Sequence, residues 1–250
     1  ELNDSGRFYV DMHQVIRDGA PPIEPYVPEP ARSLPQAHDL PALRPAPSSG
    51  PVDDATMRLL AAWATTAFSG GNMQPWTLVH RGDTLSLFHD RARSASILDC
   101  DHRASYIAFG SMVEILASVA PAIGLSCQLD LFPGDDPLHV ADVTFATGAP
   151  VVVDPLVQGI PDRVANRRLG PREPLPPTLR TTLEAEADVH GATLGFVSDP
   201  SDLHALSKLV GRADRIRMTH PRLHRELMGE MRWTDEDVHQ TRDGIDIDTM

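Results

Sequence analysis

Ser69-Gly70-Gly71-Asn72-Met73-Gln74-Pro75-Trp76 places two glycines, two side-chain amides, a proline and a tryptophan within eight residues. Glycine lets a backbone turn tightly and approach a ligand closely. Asn and Gln each offer a donor and an acceptor, which suits the edge of a heterocycle, and Trp supplies a flat apolar wall. From spacing alone a second reading stays open: a left-handed helix cap at Gly70 or Gly71, a proline-fixed strand entry, and Trp76 in the core.

The flanks of this stretch set the fold. Upstream, Asp53 or Asp54 caps a predicted helix carrying Met57, Leu59, Leu60, Trp63 and Ala64 at helical spacing and ending at the Ser69-Gly70-Gly71 break. Downstream, Trp76–His80, a turn at Arg81-Gly82-Asp83 and Thr84–Phe88 predict a β-hairpin. A long apolar helix is expected from about Ala104 to Gly124. Two strands follow, Ser126–Phe132 and Val140–Ala146, joined by Pro133-Gly134-Asp135-Asp136. Residues 52–150 thus read helix, hairpin, helix, hairpin.

Val151–Gln158, next to Pro150 and containing Pro155, reads as a linker. Residues 151–250 then predict a short helix near Pro161–Arg168, a helix over Pro177–His190 and a strand over Thr193–Val197. Helices over Ser201–Met218 and Pro221–Trp233 complete the pattern. Helices and strands mix without a regular βαβ alternation, so the expected class is α+β. Residues 1–51 differ from the rest. Arg7–Val15 reads as a short strand or strand-helix edge. Prolines at 21, 22, 25, 28, 30, 35, 41, 45, 47 and 51 forbid a helix interior or central strand in the remainder, which is expected as an extended or partly disordered Pro-rich arm or linker.

Composition bounds the partners. The net charge of −13 over 250 residues argues against nucleic acid or an anionic membrane, and any bound phosphate needs a local basic group. Two cysteines, Cys100 and Cys127, without a ligand pattern read as reduced thiols of a cytoplasmic chain. The longest apolar run, Tyr106–Leu125, is broken by Gly110, Ser111, Glu114, Ser118 and Pro121, so no membrane span is expected.

Arg163-Val164-Ala165-Asn166-Arg167-Arg168 is the one basic element of note. Arg163 and Arg167 fall on one helical face, either as a phosphate clamp or as a solvated basic face. The 69–76 stretch resembles the S-S-x-N-x-Q-P-W signature of nitroreductase-fold flavoproteins, and Ile107-Ala108-Phe109-Gly110 resembles that family's I-A-x-G helix start. Glu226-Leu-Met-Gly-Glu-Met-Arg-Trp233 and Arg242-Asp-Gly-Ile245 are similar to the E-L-x-x-W-x-R and R-D-G-L stretches of its Acg-type branch. In that branch the arginine element follows the N-x-Q-P-W element, as here.

The resemblance implies a nitroreductase-like fold in two pseudo-repeated halves, 52–150 and 151–250, the second incomplete because the family's second half continues past R-D-G. It implies FMN as cofactor, with Ser69, Gly70, Gly71, Asn72 and Gln74 at the ring and Arg163 and Arg167 at the phosphate. NAD(P)H would be the reductant and a nitroaromatic, quinone or similar small molecule the acceptor. Against the family's R-R-S-x-R phosphate element, Val164 and Ala165 lose one arginine and one hydroxyl. The alternative implied by the same branch is a flavin-free or flavin-sequestering protein without turnover. A homodimer, or fusion to an upstream domain through the Pro-rich arm, is the expected assembly.

No residue reads as a catalytic acid, base or nucleophile, because in flavoenzymes the cofactor carries the reaction. No metal site is expected. His220 and His224 lie at i, i+4 near Glu226 and Glu230, but His-Glu-x-x-His is absent and no third ligand is apparent. His102, between Asp101 and Arg103, could read as an acid/base cluster, but with no nucleophile in reach these are expected to be polar loop residues that cap the long helix. Gly-x-Gly-x-x-Gly, Walker and Gly-x-Ser-x-Gly motifs are absent, which counts against Rossmann dehydrogenases, P-loop enzymes and α/β-hydrolases.

Overall fold

The computed structural model of the chain describes residues 40–165, 173–189 and 191–247. Contacts divide it into two compact units, one of residues 25–166 with 228–250 and one of residues 1–24 with 167–227. The larger unit holds the four-stranded sheet and the 69–76 loop.

Helix α1 (Asp54–Ala64) starts where expected. Asp53 is its N-cap, and its carboxylate accepts the Thr56 N–H at 2.7 Å. That hydrogen bond holds the Asp53 carboxyl below its ordinary pKa. Met57, Leu59, Leu60, Trp63 and Ala64 are buried, as their spacing predicted. The helix stops five residues earlier than expected. The Thr65 and Thr66 hydroxyls donate back to the Ala62 and Trp63 carbonyls, at 2.8 and 2.7 Å, and turn the chain before Ser69.

Strands β1 (Trp76–Arg81) and β2 (Thr84–His89) form the predicted hairpin, with Arg81 opposite Thr84. Asp83 in its turn accepts the Val52 N–H at 2.7 Å and fixes the approach to α1. Helix α2 (Arg103–Ala122) leads into β3 (Leu125–Leu131) and β4 (His139–Thr147). All pairings are antiparallel in the order β1-β2-β4-β3, so β4 returns to the middle of the sheet beside β2. Alternation along β2 turns Leu85, Leu87 and His89 to the buried side. Leu85 and Leu87, with Val143 and Phe145 of β4, share one core with α1 and with Ala108, Phe109, Met112, Leu116 and Val119 of α2.

With its preceding turn, α2 is long and apolar enough to cross a membrane by length and composition. The polar and small residues Gly110, Ser111, Glu114 and Ser118 that interrupt its apolar run do not take it below that threshold. The apolarity of α2 is accounted for by the core it fills. Residues 40–51 form no helix or strand and lie along the surface of this unit. Ala46 N–H donates to the Ile123 carbonyl, Thr147 Oγ1 to the Gly50 carbonyl, and the Trp63 indole to the Pro41 carbonyl. Residues 1–39 of the expected arm lie outside the described residues.

Beyond β4 the expectations need correcting. Pro155–Gly159 forms a short 3-10 turn capped by Asp154, and residues 163–165 are irregular, so the expected 161–168 helix is absent over its described part. Helices α3 (Pro177–Val189) and α4 (Pro200–Thr219) match their predicted spans and bury no residue fully. The expected strand over Thr193–Val197 is irregular chain. No strand of its unit is available to pair with it among the described residues, and Phe196 instead stacks under Arg180 of α3, at 4.5 Å. Helix α5 (Pro221–Glu230) ends three residues before Trp233, where β5 (Met231–Arg232) begins. Helix α6 (Asp235–Thr241) opens on a capping box between Thr234 and Asp237, and β6 (Ile245–Asp246) pairs with β5 in parallel. The two-residue β5-β6 ladder is the only strand pairing after residue 150 among the described residues, and no second four-stranded sheet is seen among them.

Leu116 is fully buried, whereas Leu131 is 56 % exposed at the sheet edge. Leu116→Ala is expected to cost about 2–5 kcal/mol in chemical denaturation. Leu131→Ala should stay within about 0.5 kcal/mol.

Candidate functional site

Of the second reading of the 69–76 stretch, Trp76 in the core holds, whereas neither Gly70 nor Gly71 caps α1, whose C-cap is Thr65. Trp76 is buried in the core and opens β1, while the six residues before it form a sharply turned loop. Gly71, Asn72 and Gln74 all have left-handed backbone, with φ of 57°, 54° and 52°. For Asn and Gln this conformation is uncommon, and it is held by specific bonds. The Gln74 N–H donates to Ser69 Oγ at 2.9 Å, and the Asn72 and Met73 N–H groups donate to the Ser69 and Gly70 carbonyls. Ser69 therefore spends its hydroxyl on bracing the loop.

The loop's polar groups divide into two sets. Gln74 is buried, its Nε2 donates to the Arg242 carbonyl at 2.8 Å, and its Oε1 has no hydrogen-bond partner. The Trp76 indole N–H is also buried and unpartnered. Asn72 is exposed, and its carbonyl accepts the Gly244 N–H at 3.1 Å. Gly70 is open, with nothing within 4 Å of where a Cβ would stand. Gly71 is not. The Glu230 carboxylate lies 3.0 Å from that point, so a side chain there would meet Glu230 as well as an unfavourable φ.

A buried ion network ties this loop to residues 230–244. Asp243 accepts from Arg93 through Oδ2 and from Arg232 through Oδ1. Arg93 Nε donates to the Met73 carbonyl at 2.8 Å and the Gln74 carbonyl at 3.2 Å. Arg232, 1 % exposed, donates further to Thr241 Oγ1 and to the Gly229 and Met231 carbonyls. Gly244 (φ 77°) leaves the room this needs, since a Cβ there would stand 2.5 Å from Arg232 Cζ. The stretches compared above with E-L-x-x-W-x-R and R-D-G thus meet as partners. Arg93 completes the network and had no signal of its own, being one arginine in an unremarkable Arg91-Ala92-Arg93 run.

Arg163 comes to the same end of α1 as the loop. Its guanidinium donates to the Thr66 carbonyl at 2.9 Å, three residues before Ser69. Arg163 is exposed, with donors remaining for an anion. Arg167 lies outside the described residues. Of the sequence candidates, Ser69, Gly70, Gly71, Asn72, Gln74 and Arg163 therefore belong to one region of one unit.

No family model matches the chain. It is 29 % identical over 209 residues to "Uncharacterized protein MT1398" of Mycobacterium tuberculosis (strain CDC 1551 / Oshkosh), covering 82 % of this chain and 28 % of that protein. The chain thus spans less than a third of the length of the curated relative it matches. Among solved structures it aligns with a "putative nitroreductase" in complex with FMN from Exiguobacterium sibiricum 255-15, at 14 % identity and a TM-score of 0.30. That alignment covers 53 % of this chain and 98 % of the other.

A second cluster was missed from sequence. His89, Asp99 and His102 converge where β2 ends and α2 begins. Asp99 braces the helix start, accepting the Ala104 and Ser105 N–H groups through Oδ1 and the Ser105 hydroxyl through Oδ2. His89 is 2 % exposed, and burial, followed by the charge of His102 and Arg91, lowers its pKa. The alternation Leu85-Leu87-His89 was the signal that could have found it. A histidine at the third inward position of a strand is a buried one.

Removing Asp243 would leave Arg232 buried without its carboxylate. Asp243→Ala is expected to destabilise this unit by about 3–5 kcal/mol and to speed amide hydrogen exchange at residues 70–76 and 244. Unchanged exchange at residues 70–76 would show that the ion network does not hold the loop.

Proposed function

We propose that this chain forms an FMN site of the nitroreductase type and serves an FMN-dependent NAD(P)H oxidoreductase. The observation that carries the reading is Gln74 Oε1, a buried acceptor with no partner, in a loop whose sequence resembles the family's flavin-binding signature. An orphaned buried acceptor costs about 1–3 kcal/mol, and a ring N–H of a bound heterocycle would relieve that cost. The open face at Gly70 and the exposed amide of Asn72 fit the same ligand. When bound, FMN supplies the redox chemistry, taking two electrons from a reduced nicotinamide and passing them to a nitroaromatic, quinone or similar small molecule.

The protein's own contributions are binding and placement. Gln74 accepts at the ring edge, Asn72 adds a donor and acceptor at the rim, and the Gly70-Gly71 backbone lets the ring approach. Ser69 holds Gln74 in its left-handed conformation. Arg163, joined by Arg167 in this proposal, takes the phosphate through charge-assisted hydrogen bonds. The resemblance to Acg-type proteins extends the proposal to a chain of two related halves, a cytoplasmic setting, and pairing with a second copy or an upstream domain.

One set of contacts favours a second reading, a protein that holds no flavin. The Glu230 side chain lies against Gly71, and residues 242–244 take the Gln74 amide N–H and the Asn72 carbonyl. Residues 230–244 would then be an internal lid over the loop.

Titrating purified protein with FMN, followed by flavin fluorescence and the visible absorption of the complex, separates the two. The flavin reading expects saturable binding. It also expects Asn72→Ala to weaken binding several-fold, and Arg163→Ala roughly tenfold or more, as suits a hydrogen bond to a charged group. Under the lid reading the protein takes up no FMN, and Glu230→Ala makes it able to. No uptake by either form would overturn the flavin site.

A further inference from the structure

We propose that His89, Asp99 and His102 form a binding site for Zn2+ or a similar borderline divalent transition-metal ion. This site is independent of the flavin reading and uses none of its residues.

The three side chains come from the end of β2, the loop after it and the first turn of α2. Each offers one ligand atom, and these atoms lie within 4.8 Å of one another. His89 is 2 % exposed, and while its Nε2 shares a hydrogen with Ser94 Oγ at 2.8 Å, its Nδ1 is buried with no partner. His102 Nδ1 is likewise buried and without a hydrogen bond, 4.0 Å from Asp99 Oδ2. A ring nitrogen of each histidine and a carboxylate oxygen thus lie close to one another, and each histidine has an unpartnered buried Nδ1. A buried polar atom without a partner is costly, and one cation would satisfy both nitrogens.

The donor set selects the ion. Imidazole nitrogens suit zinc, copper, nickel and iron, whereas an oxygen-only cage would be needed to favour calcium or magnesium. Two histidines and one carboxylate are the protein ligands of open zinc sites, in which water takes the fourth position. Metal–ligand bonds of about 2.0–2.2 Å set tetrahedral ligand atoms roughly 3.3–3.6 Å apart, so the three groups must draw together by about 1 Å. His102, whose side chain is 34 % exposed, is the one free to move.

The surroundings suit a positioned ligand pair. Asp99 is fixed by three hydrogen bonds from the start of α2, and Ser94 supports His89 from the far side of its ring. Such outer partners orient first ligands and commonly alter affinity 10–100-fold. The His89 ring is further enclosed by Phe109, at 5.8 Å, and Tyr106, at 6.1 Å. A bound ion would pin the end of the β1-β2 hairpin to the start of α2.

The test is calorimetric titration of tag-free full chain with Zn2+, repeated with Co2+ to read its visible absorption. The expected result is one ion per chain, with Co2+ bands of a four- or five-coordinate nitrogen–oxygen site. His102→Ala, at a half-exposed position, should fold normally by circular dichroism and lose affinity by roughly tenfold or more. His204→Ala, on the exposed face of α4, should bind as the parent does. The proposal is overturned by absence of saturable uptake, by retained affinity in His102→Ala, or by an equal loss in His204→Ala.

Discussion

The carboxylate of Asp243 is the constraint on which the candidate site depends. It is buried between two arginines that come from distant parts of the chain, Arg93 after the hairpin and Arg232 after α5. A buried carboxylate with one cationic partner lost would carry a large desolvation cost. Both arginines must therefore be in place together. Arg93 also holds the Met73 and Gln74 carbonyls, so the left-handed turn of the loop, the return of residues 230–244 and the ion network form one arrangement. The loop's shape is thus a property of tertiary structure, since Gln74 would not favour φ of 52° by itself.

The first unit was legible because each signal there was local and agreed with its neighbours. Asp53 caps α1, Gly82-Asp83 turns the hairpin, and alternation in β2 buries Leu85 and Leu87. The misses share a cause. The α1 end was read from the conspicuous glycines, but two threonine hydroxyls bonding backwards stopped the helix sooner. Thr193–Val197 had strand-like composition, yet a strand needs a partner, and that is a tertiary fact. Arg232 was placed near the end of a helix and instead closes the short strand that Met231 opens, with its side chain bonded into the Asp243 network.

The candidate residues of the 69–76 loop could be named from the sequence, but their connections could not. Asn72 and Gln74 were singled out by their side-chain amides, and Ser69 by the family resemblance. That Ser69 would brace Gln74, and that the Gln74 amide would be shared between a backbone carbonyl and an unpartnered side, could not be read from spacing. Arg163 was chosen as a helical partner of Arg167, but its position is irregular chain, and what places it is a carbonyl at the end of α1. The His89, Asp99 and His102 grouping spans a strand end, a loop and a helix start, where no single periodicity applies.

The Arg93–Asp243 pair has a consequence for the order in which the molecule is made. Its partners are 150 residues apart in the chain. A ribosome adding roughly 5–20 residues per second needs on the order of 8–30 seconds to cover that distance. The sheet and its two helices are complete by Thr147 and Ala122, long before Asp243 has been synthesised. In the part of that interval after Thr147, the 69–76 loop exists beside a formed core but without the segment that later bonds to it. In the nascent chain, small molecules and chaperones therefore meet this loop open on the side that residues 230–244 will occupy.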